Sequence, residues 1–143
     1  MHPLIRSTVV LLGGVVAAVV VVSLADALVA SMYPLPDGID PNDKEGFKRA
    51  IATLPTTAFV LLLAGWALAT AAGAYLAARF AARSPVLHGM IVALFVLVAT
   101  VANLAAIPHP VWLWPGAIIV IPAAGWAAAR LGAATARRHP AIA

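Results

Sequence analysis

Asp26, Asn103 and His109 supply a carboxylate, a carboxamide and an imidazole at the ends of long apolar runs. Polar groups at such positions are costly to place in lipid, and each asks for a partner. A carboxylate, an imidazole and an amide at one depth are able to bind a cation, relay a proton or hold a polar head group. The competing reading is structural. In it, Asp26 caps a helix or pairs with Lys48 or Arg49, Asn103 bonds a neighbouring helix, and His109 faces water. No nucleophile–base pair is recognisable, so an enzyme is not expected. No two candidate metal ligands share a helical i, i+3 or i+4 spacing. Asp37, Asp40, Asp43 and Glu45 lack the ligand spacing and central glycine of a calcium loop. Cysteine is absent, which excludes thiolate metal sites and dithiol redox chemistry. No cofactor is expected.

The elements that must carry these three residues are set by composition. The chain has 143 residues, 64% hydrophobic and 10% charged, with a mean hydropathy of +1.02. A soluble domain cannot supply polar outer faces from so few polar residues. Apolar runs cover approximately 5–30, 56–78, 86–107 and 111–129, each near the roughly 20 residues needed to cross about 30 Å of hydrocarbon. The fold class is therefore all-α: one four-helix transmembrane bundle over residues 1–143, with a polar loop at 31–55. The first run is too long for a signal h-region of about 7–15 residues and reads as a retained helix.

Charge orients the bundle. Four spans place Arg6, Arg79, Arg83, Arg130, Arg137 and Arg138 on one side with no acid, and Lys44, Lys48 and Arg49 on the other with four. The side with the Lys/Arg excess is expected in the cytoplasm, so both termini are cytoplasmic and the 31–55 loop and 107–111 hairpin are external. The location expected is the cell inner (plasma) membrane. The net charge of +4 then reflects topology and contact with the lipid bilayer. Nucleic acid is not expected as a partner, because the basic residues are dispersed at helix ends.

In the loop, Pro34 and Pro36 stop the first helix and Asp37-Gly38 reads as a turn. Asn42 followed by Glu45 is a capping-box pattern that starts a short helix at Asp43. Phe47, Ile51 and Leu54 fall on one face of that helix, which breaks near Pro55. Gly65, Ala69, Gly73 and Ala77 recur every four residues and form a small-residue ridge, the usual means of close helix approach in lipid. Either a homo-oligomer or another helix of the same bundle would cover it; Gly125, Ala129 and Ala133 offer a matching surface. The segment Ile107–Pro115 reads as a tight hairpin. Pro108 stops one helix, Pro110 suits the first turn of the next, Trp112 and Trp114 stand at an interfacial belt, and Pro115 and Pro122 bend the last span.

The Pro34-x-Pro36-x-Gly38-x-Asp40 pattern, the Gly73-Ala74 pair, the hairpin from Ile107 to Trp112 and the Ile121-Pro122 step resemble a group of small, uncharacterised bacterial four-span integral membrane proteins. These have a Pro-rich first external loop. The resemblance implies the topology and transfers no catalytic residue. Two functions remain open: a non-enzymatic accessory, assembly or structural subunit, as a homo-oligomer or in a larger membrane complex; or a small oligomeric transporter or channel with Asp26, Asn103 and His109 at an external mouth.

Overall fold

The computed structural model describes residues 3–36 and 43–138, so Asn42, Asp40 and the Asp37-Gly38 turn lie outside the described residues. Among the described residues five helices follow in order: α1 (Pro3–Met32), α2 (Lys44–Ala52), α3 (Thr56–Phe80), α4 (Pro85–Ala106) and α5 (Leu113–Arg138). All four expected spans are present, and α1, α3, α4 and α5 are long and apolar enough to cross a membrane. At 1.5 Å per residue the 30 residues of α1 extend about 45 Å, longer than the ~30 Å of hydrocarbon it would cross.

Two boundaries differ from the sequence expectation. Helix α5 runs to Arg138, nine residues past Ala129, where hydropathy falls. Falling hydropathy does not stop a backbone rich in alanine, leucine and arginine. This extension also packs: Gly132 and Ala133 are buried, and an added Cβ on Gly132 would lie 2.5 Å from the Tyr75 carbonyl of α3. At its other end α5 starts at Leu113, so Pro110 precedes the helix instead of occupying its first turn. Its carbonyl accepts from the Leu113 amide at 2.9 Å, and Trp114 and Gly116 continue the same turn onto Val111 and Trp112. Pro115 therefore falls in the first turn and costs the helix little, whereas Pro122 lies inside it and deprives the Ile118 carbonyl of its amide.

Helix α3 is the central element and packs against α1, α4 and α5. The ridge is wholly buried: Gly65, Ala69, Gly73 and Ala77 are all covered. Its glycines meet α1 of the same chain. A Cβ on Gly73 would lie 2.5 Å from the Gly14 carbonyl, and one on Gly14 would lie 2.8 Å from the Gly73 carbonyl. The two backbones touch, which only glycine at both positions permits. Further along, Gly65 faces Ala25. The matching surface on α5 is used differently, with Gly125 against Ala93 and Ala129 against Gly89 of α4. In lipid these contacts hold by dispersion, because the chain exchanges one apolar neighbour for another.

Large side chains fill the opposite end. Phe59, Trp66, Leu104, Leu113, Ala117 and Ile121 form a buried cluster between α3, α4 and α5, with Ile51 and Leu54 packed against it. Helix α2 is capped by Asp43, one residue after the expected Asn42, whose carboxylate accepts from the Gly46 amide at 2.9 Å. It ends at Thr53 and α3 begins after Pro55. Ser84, before Pro85, has the one positive φ (47°) among described non-glycine residues.

Candidate functional site

Helices α1 and α4 meet near Gly14 and Val92, where an added Cβ on Gly14 would stand 3.0 Å from the Val92 side chain. Toward the α2 end they part and leave a cleft of about 170 Å³. Val19, Val22 and Asp26 form the α1 wall; Phe95, Ala99 and Asn103 form the α4 wall. Trp66 of α3 closes the floor and is 3% exposed. The cleft is thus apolar along most of its length, with Asp26 and Asn103 toward one end.

A second cavity of about 250 Å³ shares Asp26 with the first and reaches Tyr33, Phe47, Ile51, Phe59 and His109. Helix α2 lies over it through Phe47 and Ile51, the face its sequence spacing marks as apolar. Tyr33 closes one side by donating its hydroxyl to Thr57 Oγ1 at 3.0 Å, tying the end of α1 to the start of α3. Asp26 is the hinge between the two cavities. Asn103 lines the first and His109 the second.

Each of the three residues departs from the bland alternative. Lys48 and Arg49 are engaged elsewhere, with Glu45 at 3.2 Å and Asp43 at 3.8 Å. Asp26 therefore keeps an exposed carboxylate that makes no hydrogen bond to another described residue. The half-buried Asn103 side chain likewise bonds no described residue. Its backbone carbonyl closes α4 by accepting from the Ile107 amide at 3.1 Å. His109 is not fully open to water. It is half-buried, edge-on to Phe59 (ring centroids 5.9 Å apart) and to Trp66 (6.3 Å). Its Nδ1 stands 2.7 Å from the Ile107 carbonyl. A carbonyl only accepts, so Nδ1 carries the proton and donates, leaving Nε2 as the acceptor of the neutral ring.

Depth follows from helix geometry. Asp26 stands 20 residues after Arg6 on α1, a rise of about 30 Å. That equals the thickness of the hydrocarbon core. Were Arg6 at one boundary, Asp26 would reach the other, where a carboxylate meets head groups and water at far lower cost than at the midplane.

Sequence reasoning passed over Trp66 and Thr100, both buried and both lining the cleft. A signal existed for Trp66. It is the eleventh residue of α3, about 15 Å from the start of the helix, far from the boundary where membrane tryptophans collect. Thr100 gave none.

The architecture is that of an all-helical bundle with four spans and a lateral, polar-tipped cleft. Compared with known proteins, the chain matches no family model, no curated protein and no solved structure.

Proposed function

We propose that this chain is a non-enzymatic accessory or assembly subunit of the cell inner membrane, with both termini in the cytoplasm, and that the α1–α4 cleft receives a helix of another membrane protein or of a second copy. One observation carries the reading: an apolar lateral cleft ends in a carboxylate and a carboxamide that no described residue satisfies. Such a cleft suits a helix that brings apolar side chains to Trp66 and Phe95 and one donor, a hydroxyl or a cation, to Asp26. The charge asymmetry and the likeness to bacterial four-span proteins support the location and orientation.

The test is site-specific photo-crosslinking in native membranes. A photoreactive residue at Ala99, exposed in the cleft, should give a discrete adduct that Asp26→Asn weakens. One at Leu68, exposed elsewhere on α3, should give none. Identical patterns from both positions refute the reading. Reporters at Gly38 and after Ala143 should fall on opposite sides, the latter in the cytoplasm.

A small transporter is the second reading, favoured by the position of Asp26 between two cavities that together extend from Asn103 to His109. Against it, Phe59, Trp66, Leu104, Leu113 and Ile121 pack solidly between α3, α4 and α5. Cation or proton flux in proteoliposomes above that of empty vesicles, abolished by Asp26→Asn, would establish transport in place of assembly.

A further inference from the structure

The opposite end of the bundle carries an unbalanced charge. Every acid in the sequence lies between Asp26 and Glu45, five in all. Near α2, cations find carboxylates: Lys48 reaches Glu45 and Arg49 reaches Asp43. At the far end, Arg6, Arg79 and Arg137 come from three different helices and line one cleft of about 360 Å³. Phe80, Pro85 and Ala133 complete its walls. No side-chain carboxylate precedes Asp26 or follows Glu45 in the sequence.

Two of the arginines are held in place. Arg6 Nη2 donates to the Phe80 carbonyl at 3.4 Å, at the C-terminus of α3, where unpaired carbonyls favour a cation. The Arg79 guanidinium stands 5.5 Å from the centroid of the Phe80 ring, a cation–π distance. Neither of these two contacts is with an anion. Guanidinium groups converging on a cleft match the oxygens of a phosphate.

We propose that this cleft binds the phosphodiester head group of an anionic phospholipid. Lipid is favoured over a free anion because the cleft opens onto apolar surface at the membrane boundary. Leu4, Ile5, Phe80 and Leu87 are exposed beside it along α1, α3 and α4, a surface that acyl chains would cover. A basic pocket between spanning helices is a recognised lipid-binding arrangement. The site is independent of the polar-tipped cleft at the other end and does not rest on the function proposed for it.

The experiment is a thermal-shift titration of the full chain in a neutral maltoside detergent, with phosphatidylglycerol, phosphatidylcholine or inorganic phosphate. Phosphatidylglycerol should raise the melting temperature and phosphatidylcholine should not. Each arginine is worth roughly fivefold in affinity, about 1 kcal/mol. The double variant Arg6→Gln/Arg137→Gln, at two exposed positions, should therefore bind about 25-fold more weakly. Arg49→Gln, at the other end, should bind like the parent. Equal shifts with the two lipids overturn the proposal, as does an equal loss from Arg49→Gln. A full shift from inorganic phosphate at matched concentration overturns it too, and assigns a free-anion site. Native mass spectrometry of the parent chain in micelles equimolar in the two lipids tests it even if the double variant fails to fold. Selective retention of phosphatidylglycerol supports the site and equal retention refutes it.

Discussion

Replacing Gly73 with alanine probes the closest contact in the bundle. The added Cβ would stand 2.5 Å from the Gly14 carbonyl oxygen, 2.9 Å from Ala18 Cβ and 3.0 Å from Val92 Cγ1. Backbone cannot rotate away as a side chain can, so α1 must move out by about 0.9 Å to reach an ordinary contact near 3.4 Å. A gap of that size forfeits roughly a quarter to a half of each atom pair along the seam. If the seam holds about as many pairs as one buried leucine, ~50 at ~0.15 kcal/mol, the loss is about 2–4 kcal/mol. Alanine returns up to about 1 kcal/mol as the better helix former. The net expectation is a destabilisation of about 1–3 kcal/mol, the range usual for overpacking. Gly14→Ala should behave alike, and the double variant should cost less than the sum by ~0.5 kcal/mol or more, since one displacement accommodates both methyl groups. Gly13 is the internal control: a Cβ there meets nothing within 4 Å, so Gly13→Ala should be neutral or stabilising. Reversible unfolding by sodium dodecyl sulfate in maltoside micelles, followed by tryptophan fluorescence, measures all four. Parental stability for Gly73→Ala, or strict additivity of the pair, would refute the glycine seam.

Three further outcomes follow from other sites. His109→Ala should lose about 1–2 kcal/mol, having removed a hydrogen bond and two edge contacts, with His109→Phe intermediate because it keeps the ring; a loss under about 0.5 kcal/mol would return the residue to solvent. Pro108→Ala should cost about 0.4–1 kcal/mol in the same unfolding assay, since Ile107 already holds the extended conformation that a following proline favours. Asp43→Ala should speed hydrogen exchange at Gly46 and through α2 while the four long helices keep their protection, with about 0.5–2 kcal/mol of local stability lost.

The spans were legible because lipid selects on length and apolarity, which a sequence displays directly. Pro108 and Pro55 marked joints for a reason equally local, the missing amide. The ridge on α3 was legible as a contact, but its partner was not. Gly125 and Ala129 on α5 and Gly14 and Ala18 on α1 offer the same kind of surface, and only the arrangement of helices assigns α1 to the ridge. The candidate site was read least well. Asp26 seemed able to reach Lys48 or Arg49 because all lie near one end, but both cations have closer acids within α2 or at its cap. His109 looked solvent-facing because hairpins usually are. Its burial depends on Phe59 and Trp66 of α3, roughly 40–50 residues away in sequence, which no local pattern announces.

The Gly14–Gly73 seam also bears on how the chain is made. Fifty-nine residues separate the two glycines, so at about 5–20 residues per second the ribosome delivers the seat for α1 some 3–12 s after α1 itself. Through that interval the first helix has no intramolecular mate. It is also the most apolar of the four spans, with leucine and valine exposed along much of its length and, among its described residues, only Gly14 and Ala18 buried in the finished bundle. The helix that must wait is the one built to be stable in the bilayer unaccompanied.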